Sequence, residues 1–289
     1  MPPPAHTVDH PAELLSFLCA CRPEVTRTTV RQWLKYGLIE VNGRPVTRAD
    51  HSLQSGDVVS IRAKGEVRGH GRLPSGMTVL FEDTSLIVIE KPENLLSMAS
   101  ATERDKTAYA FLTDYVRRGN PQGPERVWIV HRLDRETSGL MVFAKTEAVK
   151  CALQARWEKT EKRYLAVVER HPPADHGVLR SHLDESAPKV YSAPPSERTR
   201  HAVTHYRVLK RRATRALVEL TPETGRRNQI RVHLADAACP IIGDQKYDAR
   251  TNPAHRLGLH AGALRFTHPV SGELLRFESP LPQDLARLL

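Results

Sequence analysis

The sequence predicts an α+β protein in two parts. A small α+β module over residues 1–66 precedes a larger domain over residues 77–289, built on a mainly antiparallel mixed sheet. Three observations predict this. Between the parts, residues 67–76 interleave Gly69, Gly71, Pro74 and Gly76 with Arg68 and Arg72, with no apolar period, which is the composition of a linker. Beyond it, short strand-like apolar runs mix with helical segments without regular βαβ alternation. Before it, Asn42–Gly43 separates two short strand-like segments, a strong hairpin signal.

In chain order, residues 1–10 read as loosely attached and residues 12–18 as a short helix. Residues 25–38 suit a second helix. Val30, Leu34 and Leu38 recur on one face, Arg27, Arg31 and Lys35 on another, and Gly37 is a natural terminator. The hairpin spans residues 39–46, and Ser55–Gly56–Asp57 turns the chain into the strand Val58–Ile61. The larger part opens with strands at 78–82 and 86–90 and a helix at 107–118. A helix at 148–159 and strands at 163–169, 202–209 and 216–221 come next, with a basic hairpin tip at 210–215. The Pro- and Ser-rich residues 187–196 read as a loop. Residues 226–238 are expected to be helical, with Ile230, Leu234 and Ala238 on one face. Strands at 259–267 and 273–277 and a short helix at 283–288 end the chain.

The stretch from Val130 to Phe143 organises the rest. An apolar run stops at Val130, mostly polar residues follow, and a second apolar run begins directly after Gly139. That reads as strand, exposed loop, strand, the kind of scaffold that carries reactive groups. Asp134 stands two residues after Arg132 and next to Arg135, and cationic neighbours favour its ionised form. On charge alone, a solvated turn meets the same description.

The net charge of +10 favours a polyanionic partner, nucleic acid before a membrane surface. No run of about 18 apolar residues exists, so no transmembrane helix is expected. The opening residues lack a secretory signal, and the cytoplasm is the expected location. Cys19, Cys21, Cys151 and Cys239 have neither metal-ligand spacing nor a disulfide pattern. His201 and His205 can share a face but lack a third ligand at suitable spacing, so no metal is expected.

His131–Arg132–Leu133–Asp134 followed by Thr137–Ser138–Gly139–Leu140 resembles the signature of the RluA family of RNA pseudouridine synthases. Thr224–Gly225–Arg226–Arg227–Asn228–Gln229–Ile230–Arg231–Val232–His233–Leu234, then Pro240–Ile241–Ile242–Gly243–Asp244, resembles its second motif, and Lys162–Arg163–Tyr164–Leu165–Ala166–Val167–Val168 its third. The resemblance covers residues 77–289. Residues 28–38 with the run through Val41–Asn42–Gly43 to Val59 resemble the alpha-L RNA-binding module.

The resemblance implies an isomerase that converts uridine in ribosomal or transfer RNA to pseudouridine. It implies Asp134 as catalytic carboxylate, Tyr164 as the aromatic residue that stacks on uracil and moves a proton, and Arg231 as the cation paired with Asp134. Substrate contacts fall on Arg132, which can fill the space of a flipped-out nucleotide, on Leu140 and Arg226, and on Arg27, Arg31, Lys35 and Arg44 of the module. His131 is the candidate for fixing the loop. Arg227 and Arg231, one turn apart, would present two charges on one helix face. The reaction gains no atoms and involves no oxidation, so no cofactor is expected, and the protein is expected to be a monomer. Two departures stand out: Asn228 occupies the usual histidine position, and Tyr247 precedes Asp248 rather than glycine. Asp244, without arginines in its own motif, reads as a structural turn residue. The alternative function is a noncatalytic RNA-binding or ribosome-assembly factor; a DNA-binding regulator lacks a recognition-helix arrangement.

Overall fold

The computed structural model describes residues 5–35, 39–61, 71–73, 75–100, 102–117 and 123–289. Gly37, Leu38 and half of the expected linker, residues 67–70 and 74, lie outside the described residues. The chain forms two compact units that interleave in sequence. One takes the chain up to Lys91 with Ser97–Arg132 and Met141–Cys151; the other takes Pro92–Leu96, Leu133–Leu140 and Ala152–Leu289.

The first unit begins with β1 (Ala5–Thr7), β2 (Ala12–Glu13), α1 (Leu14–Cys21), α2 (Arg27–Lys35), β3 (Ile39–Val41), β4 (Arg44–Pro45), β5 (Ser52–Leu53) and β6 (Val58–Ile61). Their sheet has the order β1-β6-β3-β4. Asn42 and Gly43 sit at φ of 51° and 74°, as a two-residue hairpin turn matched to strand twist requires. Residues 5–7, expected to be loose, instead pair along Val58–Ser60, because Val8 is drawn into a core with Leu14, Leu18, Val30, Leu34 and Val59. Arg27, Arg31 and Arg44 are exposed. The Thr26 hydroxyl accepts from the Thr29 N–H at 3.2 Å and starts α2.

The same unit continues with β7 (Gly71–Arg72), which pairs with β8 (Thr78–Glu82), so part of the expected linker is strand. β9 (Leu86–Lys91), α3 (Ala108–Arg117) and β10 (Trp128–Ile129) follow, and β10 pairs with the far half of β11 (Ser138–Ala144). The helix expected over 148–159 is α4 (Glu147–Gln154) followed by a separate turn of 3-10 helix at Trp157–Lys159.

The second unit holds β12 (Glu161–Glu169), β13 (His176–Asp184), β14 (Tyr191–Ala193), β15 (Thr199–Arg211), β16 (Arg215–Pro222), α5 (Gln229–Asp236), β17 (Leu259–Thr267), β18 (Leu274–Glu278) and α6 (Gln283–Ala286). Strands β14-β13-β15-β16-β12-β17 lie side by side and antiparallel, with β18 added on β17. The α+β class with a largely antiparallel mixed sheet is therefore the observed one. β13 went unexpected because it carries few apolar residues among histidine, arginine and serine, and β14 lies inside the expected loop at 187–196.

One pairing runs the other way. The start of β11 is parallel to β17, with Ser138 opposite His260 and Gly139 opposite Ala261. Gly139 has φ +115°, and a Cβ there would sit 2.3 Å from the Ala261 carbonyl oxygen, so only glycine fits. Ser138 Oγ meets His260 Nδ1 at 2.8 Å and accepts from Arg256 Nη2 at 2.5 Å, all in the interior. The loop before Ser138 is therefore fastened at its end. On β17, Gly262 is skipped between the pairs Arg163↔Ala263 and Tyr164↔Ala261, a bulge opposite the start of the Tyr164 motif.

Candidate active site

Asp134, Tyr164 and Arg231 all belong to the second unit. Asp134 stands on the loop ahead of β11 with its side chain 20% exposed, so a substrate can reach it. Tyr164 stands on β12, partly buried. Burial first, and the charge of Asp134 second, push its hydroxyl above the ordinary tyrosine pKa, so it keeps its proton at neutral pH.

Arg231 comes from α5. Ile230 and Leu234, one turn apart, bury themselves against Ala166, Val168, Leu220 and Leu259, which sets the helix rotation and turns Arg231 another way. Its Nε and Nη2 form a fork on Asp244, each at 2.7 Å, while Nη1 reaches Asp134 Oδ2 at 3.4 Å and Glu136 Oε2 at 3.3 Å. The expected pairing with Asp134 is present, yet the two-pronged contact belongs to Asp244. Burial alone would favour the neutral guanidine; the hydrogen bonds and charge of Asp244, then Asp134 and Glu136, overcome it and raise the pKa.

Asp244 is thus an anchor for Arg231. Its own motif lacks arginines, as noted from the sequence, but the cation arrives from the helix thirteen residues earlier. Gly243 makes the turn possible: φ is +75°, and a Cβ would lie 2.1 Å from the Arg256 carbonyl oxygen.

The helix expected from residue 226 starts only at Gln229, because Asn228 is left-handed, with φ 52°. Arg227 therefore leaves the face of Arg231. Its N–H donates to Glu185 Oε1 at 2.6 Å and its guanidinium binds the Glu185 carbonyl at 2.7 Å, so two charges on one helix face is corrected to one. The Asn228 amide donates to Asp134 Oδ2 at 2.5 Å, and its oxygen accepts from Tyr247 and Lys246, each at 3.1 Å. The Tyr247 ring lies under Arg231, 5.2 Å from centroid to guanidinium carbon. Tyr247, Lys246 and Glu136 had no site role in the sequence reading. Their one sequence signal was position beside the motif residues.

Arg132 is exposed, and so is Arg226, whose Nε donates to the His201 carbonyl at 3.2 Å. Leu140 is 1% exposed within β11, which makes it packing beneath the loop in this structure rather than a surface for contact. His131 Nε2 accepts from the Val142 N–H at 3.1 Å, a loop-fixing role. Arg27, Arg31 and Arg44 face solvent in the module, where Lys35 closes α2. His205 meets Glu223 at 2.5 Å and the His201 ring lies 5.3 Å from that of His182. Among the described residues no group of three His, Cys, Asp or Glu side chains could hold a metal, and no helix is long and apolar enough to cross a membrane.

A carboxylate on a fixed loop, a tyrosine that keeps its proton and a buried arginine belong to one unit of a chain with a net charge of +10, an arrangement suited to an enzyme acting on a polyanion. A family model described as RNA pseudouridylate synthase matches residues 85–236, and one for the S4 domain matches residues 14–59. The chain belongs to the RNA pseudouridylate synthase family, whose members are isomerases, and carries an S4 domain. It is 34% identical to the uncharacterized RNA pseudouridine synthase YlyB of Bacillus subtilis, over 94% of this chain and 91% of that one. It is 33% identical to ribosomal large subunit pseudouridine synthase D of Vibrio cholerae, over 92% of this chain and 86% of the relative. Among solved structures, human RNA pseudouridylate synthase domain containing 4 superimposes with a TM-score of 0.60 at 27% identity, covering 72% of this chain and 90% of its own.

Proposed function

We propose that this protein isomerises uridine to pseudouridine in ribosomal RNA, with Asp134 as the reactive carboxylate in a catalytic domain over residues 77–289 and RNA held also by residues 1–66. The observation that carries this reading is the convergence of three motif residues. Arg231 stands 3.4 Å from Asp134, and the charge of Asp134 is felt by Tyr164. Isomerisation breaks the bond between a uracil nitrogen and the sugar, turns the base, and rejoins it through a ring carbon, so no atom is gained. A carboxylate suits the first step, as in enzymes that cleave glycosidic bonds through covalent intermediates. Tyr164 keeps its own proton at neutral pH, so it can serve the proton transfer as a relay: its oxygen accepts the proton that the ring carbon gives up while its O–H passes its own proton on. Arg132, exposed at the start of the loop, can stack in place of the flipped nucleotide. Ribosomal RNA is favoured over transfer RNA by the names of the relatives, which cover most of this chain.

The test is Asp134→Asn, which is nearly isosteric but neither nucleophile nor base. The variant should form no pseudouridine in ribosomal RNA transcripts while binding them as the wild type does. Turnover near the wild-type rate would remove Asp134 from the chemistry. A wild type that binds RNA without forming pseudouridine would favour the noncatalytic alternative.

A further inference from the structure

We infer that Asn228 is the positioning residue for the reactive carboxylate: clamped by Tyr247 and Lys246, its amide holds Asp134 Oδ2 and leaves Oδ1 for the substrate. The inference rests on the reading of Asp134 just given, and extends it to a residue at which this chain departs from the family pattern.

The amide orientation follows from its partners. An ammonium carries donors only, so the Asn228 atom 3.1 Å from Lys246 Nζ must be the oxygen. The Tyr247 hydroxyl accepts from the Val190 N–H at 3.2 Å, which directs its own proton to the same oxygen at 3.1 Å. The NH2 group then faces Asp134 Oδ2, at 2.5 Å. Asparagine at the start of a helix ordinarily caps it, yet this side chain makes no capping bond. Asn228 is 8% exposed, so its hydrogen bonds are shielded from water. The charged groups around the contact are Arg231, which shares Oδ2 at 3.4 Å, Glu136 on the same guanidinium nitrogen, Asp244 on the other edge, and Lys246 behind the amide. Among the described residues no hydrogen bond reaches Asp134 Oδ1. One oxygen is held and the other is free to react.

Asn228→Asp and Asn228→His test this, since aspartate and histidine also tolerate left-handed backbone and leave the fold intact. Asn228→Asp puts a second carboxylate against Oδ2, where only its protonated form can donate. Single-turnover pseudouridine formation near neutral pH should fall about 100-fold, the loss typical of a misplaced reacting group or missing donor. RNA Kd should not change, and the deficit relative to wild type should narrow as the pH is lowered. Asn228→His, which keeps one ring N–H, should recover most of the rate. Tyr247→Phe, which removes one of the two donors on the amide oxygen, should give an intermediate loss. A deficit in Asn228→Asp that is the same at every pH, or no deficit, overturns the inference while an active wild type upholds the reading of Asp134. An inactive wild type overturns both.

Discussion

Replacing Asp244 with asparagine should weaken the fold far more than the same change at Asp134, although both carboxylates contact Arg231. The Arg231 side chain is 6% exposed and that of Asp244 is 1% exposed, with two hydrogen bonds of 2.7 Å between them. Without the Asp244 charge, the buried guanidinium keeps only Asp134 and Glu136, at 3.4 and 3.3 Å and both through Nη1. Asparagine restores one acceptor at best, and its NH2 faces guanidinium N–H groups. Breaking a buried pair from one side costs about 3–5 kcal/mol, and the surviving bond points to about 3. For a chain of this size that lowers the unfolding midpoint by roughly 6–12 °C. Asp134, 20% exposed and 3.4 Å from its cation, contributes about 1 kcal/mol or less. Thermal unfolding of the two variants beside the wild type, followed by far-ultraviolet circular dichroism, reads the difference. A midpoint for Asp244→Asn within about 2 °C of wild type, or one higher than that of Asp134→Asn, would refute the division of labour on Arg231.

Two further predictions concern pH and salt. His233 is 2% exposed between Thr204 and Ser181, and burial, opposed only by Asp236, lowers its pKa from 6.5 to about 4. Between those values the unfolded chain binds the extra proton, so stability rises with pH; the contribution is complete above about 6.5 and is lost towards about 4, by up to roughly 3 kcal/mol. Urea unfolding across that window should show the loss, and His233→Gln should flatten it; an equally steep profile in the variant would place the proton elsewhere. In the S4 domain, Arg27, Arg31 and Arg44 are exposed, and replacing all three with alanine should make the slope of log affinity against log salt shallower by roughly 2–3. An unchanged slope would mean these side chains touch no phosphate.

The loop carrying Asp134 could be read from the sequence because its signals are local: apolar runs on both sides, charge between, glycine at the return. The Asn-Gly hairpin and the burial of Ile230 and Leu234 on α5 could be read for the same reason, whereas Ala238, expected on that face, lies past the end of the helix at φ 58° and is exposed. What escaped depends on partners far along the chain. β13 and β14 are polar, β13 becoming a strand by pairing with β15 and β14 by pairing with β13, and β1 pairs with β6 beside Val8, which enters a core built from residues further along the module. The fork on Asp244 escaped because an arginine in a helix and an aspartate in a turn meet only when Gly243 bends the chain. The break before α5 escaped because periodicity through Arg227 gives no warning of a left-handed residue at Asn228.

The parallel pairing of β11 with β17 sets an order of events during synthesis. Ser138 finds His260 across 122 positions, and Asp134 finds Asn228 across 94. Loop closure on that scale comes late in folding, after hairpins such as β15–β16 have formed locally. A nascent chain that has exposed the entire Asp134 loop still lacks the strand that seats it and the Asn228 amide that donates to it. Until residue 260 is available, the carboxylate stands on an unfastened loop, although every strand and helix of the first module has long been made.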